Sequence, residues 1–200
     1  MKNITLTICL TLAILLGGVG TSWGADYEKG LAAANSGDFE TALREMKPLA
    51  EMGHAGAQFN LGIMYNNGFG VVQDDKSAAG WYTLAAEQGH AEAQFNLGQM
   101  YRQGFGVSQD YKRAAGWFTL AAEQGDANAQ WTLGMMYANG KEGVIKDYVY
   151  AHMWFNVVAS NRSESAGELR DLVAKRMSPA EISAAQDLAR ECIRKKYKGC

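Results

Sequence analysis

The chain has 200 residues, of which 48% are hydrophobic and 20% are charged, so its composition excludes a largely disordered protein. Its 19 Lys and Arg residues against 21 Asp and Glu residues give a formal net charge of −2, which excludes the overall basic charge of a nucleic-acid-binding domain. The sequence has 23 glycines and only 2 prolines, a balance that is typical of a chain turning often between helices.

Residues 1–24 are predicted to be a signal peptide. One lysine precedes an apolar segment of 13 residues, Ile4 to Leu16, which is too short to cross a membrane as an uncleaved anchor. Small residues, Ser22 and Gly24, occupy the −3 and −1 positions of a cleavage site before Ala25. We therefore expect a periplasmic or secreted protein whose mature chain has no transmembrane span.

Residues 25–52 are predicted to form a short helical hairpin. Its first helix is expected from Tyr27 to Ala34 and its second from Phe39 to Met52. Gly37 and the aspartate that follows it supply the turn, because glycine adopts positive φ without steric cost.

Three repeats follow, at residues 53–88, 89–124 and 125–160. The first two are identical at 28 of 36 positions, and the third is a looser copy with one extra residue near Lys141–Glu142. A period in the mid-thirties is typical of helical hairpins that stack on one another. The repeats therefore predict an all-α protein built from successive hairpins.

Each repeat predicts two helices and the way in which they pack. The first helix carries an apolar stripe of Ala57, Leu61 and Tyr65, at four-residue spacing. Gly62 interrupts that helix and predicts a close crossing with the second helix, which Asp74 is expected to cap. The packing face of the second helix is expected to consist of Ala78, Trp81, Tyr82, Ala85 and Ala86.

The tryptophans and histidines of the repeats each allow two interpretations. The stripe of Trp81, Trp117 and Trp154 is predicted to be buried core, the alternative being a platform for a ligand. His54 and His90 occupy one repeat position and are predicted to begin the first helices. A shared metal ion is disfavoured, because stacked hairpins lie about 10 Å apart.

Residues 161–200 depart from the repeat and are predicted to be an atypical capping hairpin. A helix is expected from Glu164 to Met177, and Ser178 and Glu181 form a capping-box pattern with proline at the first helical position. The second helix then has an apolar stripe: Ile182, Ala185, Leu188, Ala189 and Cys192. Such a terminal element is expected to cover the exposed core of the last repeat.

Cys192 and Cys200 are predicted to form a structural disulfide. Export to an oxidising compartment favours pairing, whereas a metal or redox site is disfavoured because the spacing is not C-x-x-C and no histidine is near. Five cations surround the pair, and they are expected to complement the helix dipole or, alternatively, to contact anionic lipid or cell-wall polymer: Arg190, Arg194, Lys195, Lys196 and Lys198.

The pattern A-x-A-x-x-x-L-G-x-M-Y-x-x-G-x-G-V-x-x-D-x-x-x-A-x-x-W-x-x-x-A-A resembles the Sel1-like repeat family, which is related to tetratricopeptide repeats. The resemblance covers Gly53 to about Ser160 strongly and Asp26 to Met52 partially. It implies a right-handed α/α solenoid that serves as a scaffold for protein–protein interaction. In bacteria, similar secreted proteins act in envelope signalling, cell-wall maintenance or host interaction.

The face of the first helices opposite the core stripe is the predicted binding surface. In similar solenoids the first helices line a concave groove, and side-chain amides there can hydrogen-bond an extended peptide. The alternative is a solvated face without a partner. The predicted contact residues are Asn60, Ile63, Asn66 and Asn67, then Asn96, Gln99, Arg102 and Gln103, then Thr132, Met135, Ala138 and Asn139.

No catalytic motif accompanies this surface, so we expect a non-catalytic protein without metal or cofactor. The expected partner is another envelope or secreted protein, and nucleic acid is not expected. Two other functions remain open. The resemblance to secreted relatives also suggests a cell-envelope hydrolase acting on β-lactam or peptidoglycan-type substrates. A chaperone-like binder of unfolded segments is the third.

Overall fold

The computed structural model describes residues 26–140, 144–161 and 163–200, so the predicted signal peptide and the Lys141–Glu142 insertion lie outside the described residues. Within these ranges the chain forms helices and no strand. Every helix in the described ranges is too short or too polar to span a lipid bilayer. The helices are α1 (26–35), α2 (Phe39–Glu51), α3 (Ala55–Asn67), α4 (Asp75–Glu87), α5 (Ala91–Gln103), α6 (Tyr111–Ala122), α7 (Ala127–Asn139), α8 (Tyr148–Ser160), α9 (Glu164–Ala174) and α10 (Pro179–Arg194).

From α2 to α9, each helix packs against the next one in the chain. The pairs α3–α4, α5–α6 and α7–α8 are hairpins, and each hairpin packs on the next through α4–α5 and α6–α7. The last two helices both pack on α8, so together they close the stack. The predicted all-α solenoid is thereby confirmed.

The helix starts follow from the repeated capping residues. His54 and His90 begin α3 and α5, and each ring accepts a backbone hydrogen bond through Nδ1, at 3.1 and 3.4 Å. Asp126 has the same role at α7, with an oxygen 2.7 Å from the Ala129 nitrogen. The two histidines are therefore helix caps, as the sequence predicted.

The glycine inside each first helix allows a close helix crossing. A Cβ atom on Gly62 would lie 2.5 Å from the ring of Tyr82, closer than real Cβ contacts allow. Gly98 has the same relation to the Phe118 ring, at 2.7 Å. The aromatic ring of the second helix thus occupies the space that a side chain would need, and the predicted close crossing is confirmed.

In each of the three repeat hairpins, the aromatic residue after the tryptophan, not the tryptophan itself, forms the centre. Tyr82, Phe118 and Phe155 are all buried. Trp154 is also buried, at 2% exposure, but Trp117 and its counterpart in the first repeat are only half-buried. The prediction that all three tryptophans are core was therefore wrong for two of them.

The cause of this difference is helix α10, which packs on α8. Ala189 and Cys192 of α10 belong to the same apolar cluster as Trp154. The predicted stripe of α10 is correct for its small residues, but Leu188 is 40% exposed and Ile182 only partly buried. A helix whose contact face is formed by small residues lies close to its neighbour and leaves the bulkier side chains at the edge of the contact.

The chain turns back after α10 and returns to it. Lys196 and Tyr197 adopt positive φ, 52° and 68°, and Gly199 follows at 69°. This turn places the Cα atoms of Cys192 and Cys200 5.2 Å apart, with their sulfurs at a bonding distance of 2.03 Å.

Candidate functional site

A hollow of about 320 Å³ lies between the first helices α3 and α5. We call it the first-helix hollow. Tyr82 and Met100 are its buried residues, and the exposed ring of Phe105 stands at its edge. Six of the residues predicted from sequence line it: Ile63, Asn66, Asn67, Asn96, Gln99 and Gln103.

The polar groups of this hollow are only partly used by the protein itself. The side-chain nitrogen of Asn67 donates to the Ile63 carbonyl oxygen at 2.8 Å. The side-chain nitrogen of Asn66 lies 3.4 Å from a carboxylate oxygen of Asp75. Both amide nitrogens are thus occupied, whereas neither amide oxygen accepts a hydrogen bond in the described chain. The side-chain oxygen of Gln99 is buried and has no hydrogen-bond partner among the described residues. The hollow therefore presents unused acceptors.

Tyr82 connects the hollow to the core. Burial raises the pKa of its hydroxyl to about 12, against a smaller opposite effect from a hydrogen bond with Asn96. The hydroxyl is therefore neutral throughout the physiological pH range and acts as a hydrogen-bonding group, not as a base.

Three predicted contact residues lie neither in the first-helix hollow nor in the smaller hollow that residues of the third repeat line. Asn60 donates to the Tyr27 hydroxyl at 3.2 Å and is thereby held by α1, while Thr132 is buried. Arg102 does not line the first-helix hollow, because six residues of helix place it about 120° around the axis from Asn96. Seven-residue spacing brings Gln103 back to the Asn96 side, within about 20°.

Three of the four predicted residues of the third repeat line a different hollow, of about 190 Å³. Met135, Ala138 and Asn139 meet residues of α8 and α9 there. Tyr148 stands at its edge, 3.0 Å from the guanidinium of Arg176, which lowers the pKa of the tyrosine hydroxyl. The remaining lining is apolar: Phe155, Leu169, Leu172 and Val173. The predicted face is thus divided into two separate sites.

Sequence reasoning missed three residues that line the first-helix hollow. Tyr82 was assigned to helix packing alone, and Met100 and Phe105 were not assigned at all. A signal for Phe105 was present, because its Gly-Phe-Gly turn occurs in both of the first two repeats. The ring of Phe105 is 52% exposed.

The C-terminal basic residues are largely paired within their own helix. Arg190 pairs with Asp187, and Arg194 and Lys195 both pair with Glu191, at 2.6 and 3.3 Å. These cations therefore contribute less net positive surface than their number suggests. The described part of the chain contains no group of three or more side chains arranged to hold a metal ion.

Comparison with protein families matched the Sel1 repeat at residues 55–90, 91–126 and 127–157. A comparison with curated proteins gave no match. Among solved structures, the chain is similar to a protective antigen present in uropathogenic Escherichia coli strains that displays an SLR fold. The TM-score is 0.70 and the identity 36%, and the match covers 79% of this chain but only 34% of the antigen, so this chain spans about a third of its length.

A Sel1 repeat protein from Oxalobacter formigenes is also similar, with a TM-score of 0.65, 26% identity and coverage of 83% of this chain and 75% of that one. The three matched repeats coincide with the hairpins α3–α4, α5–α6 and α7–α8 and span more than half of the sequence. Sel1 repeats typically mediate protein–protein interaction. On the repeats, the hairpins and the matching folds together, the chain belongs to the Sel1 repeat family.

Proposed function

We propose that this protein is an exported, non-catalytic scaffold that binds an extended segment of another envelope or secreted protein in the first-helix hollow. Its role would lie in envelope signalling, cell-wall maintenance or host interaction. The similarity to a protective antigen of uropathogenic Escherichia coli supports the last of these. The observation that carries the proposal is that Gln99 lines this hollow while its buried side-chain oxygen has no hydrogen-bond partner among the described residues.

A buried acceptor without a donor costs stability, about 1–3 kcal/mol when no water or ligand satisfies it. An extended peptide has backbone N–H groups that point outward at alternate residues, and these can donate to the Gln99 oxygen once its side chain turns into the hollow. The oxygens of Asn66 and Asn67 offer further acceptors on the neighbouring helix. The first-helix hollow is therefore suited to a peptide backbone.

The same hollow has an apolar part that can take a side chain. Ile63 and Met100 provide aliphatic surface, and the exposed Phe105 ring stands beside them. Its volume of about 320 Å³ is at the lower end of the range of ligand sites, ~300–1,000 Å³. We expect a bound segment to place one apolar residue against Phe105.

The lining of the hollow favours binding over hydrolysis. Its residues are amides, apolar side chains and one tyrosine, without a carboxylate, histidine, lysine, serine or cysteine. The tyrosine is Tyr82, whose raised pKa keeps its hydroxyl protonated, so no phenolate base is present at physiological pH. A hydrolase of β-lactam or peptidoglycan-type substrates needs a nucleophile or an acid–base pair at the site.

The proposal is tested by photo-crosslinking in an envelope extract. A benzophenone amino acid replaces Gln103 in one variant and, as the control, the exposed Gln186 of α10 in another. We expect one partner segment to crosslink at position 103 and not at 186. The double change Gln99→Leu, Gln103→Ala should reduce capture of that segment by roughly tenfold, whereas Gln186→Ala should not.

Two results contradict the proposal. Equal crosslinking at both positions, or full capture by the double variant, places the binding surface elsewhere. Weak crosslinks to many unrelated proteins at position 103 indicate a chaperone-like binder of unfolded segments instead of a scaffold for one partner.

A further inference from the structure

The second helices α4 and α6 carry an apolar surface that no described element covers. It consists of a glycine, a tryptophan and a leucine at matching repeat positions of the two helices, and we call it the second-helix face: Gly80, Trp81 and Leu84 on α4, and Gly116, Trp117 and Leu120 on α6. Both tryptophans are half-buried, and the leucines are 45% and 44% exposed.

The equivalent surface of α8 is fully covered. Met153, Trp154 and Val157 occupy the matching positions, and all three are buried. The helix that covers them is α10, whose Ala189 and Cys192 lie in the same apolar cluster. This chain therefore contains, on its third repeat, an example of what fits the second-helix face, namely an amphipathic helix.

The covering segment also makes a polar contact at its end. After α10, the Gly199 nitrogen donates to a carboxylate oxygen of Glu123, 3.2 Å away at the end of α6. Glu87 occupies the same repeat position at the end of α4. It lines a hollow of about 460 Å³ together with Trp117, Leu120 and Arg113, whose guanidinium pairs with Asp110. The carboxylate contact point is thus present one repeat earlier, beside an uncovered apolar surface.

The two glycines of this face have no explanation inside the described chain. A Cβ atom on Gly80 or Gly116 would meet no atom within 4 Å, unlike the glycines at the helix crossings. Glycine in the middle of a helix is unfavourable compared with alanine. Here its absent side chain exposes the flank of the neighbouring tryptophan and allows close approach from outside. On α8, where a helix is already present, Met153 takes this position.

We infer that the second-helix face docks an amphipathic helix of a partner protein, in the way that α10 docks on α8. The helix presents apolar residues at i, i+4 and i+7, the spacing of Ala185, Ala189 and Cys192. It carries leucine-sized side chains where α10 has alanines, because glycine replaces Met153 on the receiving surface. The last turn of the partner helix carries a hydrogen-bond donor or a basic side chain, which matches the carboxylate of Glu87. This site is distinct from the first-helix hollow.

The probe for this site is a synthetic peptide of residues 178–200 with its two cysteines oxidised and with Ala185→Leu and Ala189→Leu. Binding of the fluorescently labelled peptide to the full chain is measured by anisotropy. We expect saturable binding that Gly116→Arg weakens at least roughly tenfold, because the new side chain stands where the helix must approach. The matched control is Gly167→Arg on α9, where a Cβ atom also meets no other atom.

Both arginine variants should fold, which thermal melting verifies, since neither site has a neighbour to displace. Absence of saturable binding to the unmodified protein up to ~1 mM peptide overturns the inference, as does equal binding by the Gly116→Arg variant. Analytical ultracentrifugation of the protein without peptide tests the alternative that the protein covers this face by self-association. A dimer that Gly116→Arg converts to monomer would show that a second copy covers this face.

Discussion

The side-chain nitrogen of Gln88 donates to the side-chain oxygen of Gln58 at 2.7 Å, and one repeat later Gln124 donates to Gln94 at 2.8 Å. Gln58 itself donates to the Ala50 carbonyl oxygen, 3.0 Å away at the end of α2. Each buried glutamine thus joins the preceding hairpin to both helices of its own. The bond satisfies a polar group that would otherwise be costly to bury.

The third repeat has only half of this arrangement. Gln130 donates to the Ala122 carbonyl oxygen at 3.1 Å, but its own side-chain oxygen is buried without a hydrogen-bond partner in the described chain. Asn161 stands at the position of Gln88 and Gln124 in the third repeat and is one methylene shorter. The missing donor explains the unpaired oxygen of Gln130.

Replacing Asn161 by glutamine should therefore stabilise the protein. Its backbone angles, φ −88° and ψ 22°, are close to the −83° and 0° of Gln88, so the longer side chain can start in the same direction. We expect Asn161→Gln to raise the free energy of unfolding by about 0.5–1.5 kcal/mol in urea denaturation. Asn161→Ala supplies no donor and is the control. An equal gain in both variants would show that Gln130 is not the cause.

Replacing a helix glycine by alanine should have opposite effects on stability at two positions. Gly98→Ala places a methyl group 2.7 Å from the Phe118 ring, and overpacking of this kind should lower the free energy of unfolding by about 1–3 kcal/mol. Gly116→Ala meets no atom within 4 Å and should raise it by about 0.5–1 kcal/mol through helix propensity. Thermal melting of both variants checks this. A loss of stability in Gly116→Ala would mean that something covers that surface.

The repeat made most of the fold predictable. Its signals are local, each involving only a few neighbouring residues, so they can be recognised along the chain. They are the small and aliphatic residues at helical spacing, the glycine at each helix crossing and the capping residue before each helix. Gly62 illustrates this, since one unfavourable residue in a helical pattern correctly indicated the contact with the second helix. Six predicted contact residues meet in one hollow for the same reason.

What sequence reasoning missed depends on elements outside the repeat. Identical repeat positions suggested equal burial for Trp117 and Trp154, yet only the second is covered, because α10 folds back on α8. Arg102 was placed in the groove from a spacing that rotates it away from Asn96. Thr132 is buried where its counterpart Asn96 lines a hollow. Local periodicity carries no information about which surface a distant helix covers.

The bridge between Cys192 and Cys200 should be present in the native protein. We expect no free thiol in alkylation of freshly purified protein and a mass deficit of about two hydrogens. Reduction should lower the free energy of unfolding by about 2–3 kcal/mol, the value for so short a loop, and should free the turn that contacts Glu123. Cys200→Ser should show the same loss and no further effect of reductant. Two reactive thiols in the native protein would contradict the disulfide.

His152 should make the protein less stable in mild acid. Its ring is buried, Nδ1 has no hydrogen-bond partner in the described chain, and burial followed by the nearby charge of Arg170 lowers its pKa, against a smaller opposite effect of Asp171. The unfolded chain then binds a proton near pH 6.5 that the folded chain resists, so stability is full above about pH 6.5 and falls below it.

Replacement by alanine, the residue at the equivalent positions 79 and 115, should remove this dependence. We expect the slope of unfolding free energy against pH, measured by urea denaturation between about pH 7 and 5, to decrease by up to ~1.4 kcal/mol per pH unit in His152→Ala. His90, whose pKa is lowered chiefly by burial, contributes to the same slope, so His90→Asn, which keeps a capping side chain, is the matched comparison. If the pH dependence of the unfolding free energy is the same in His152→Ala, protonation of this ring does not destabilise the folded protein.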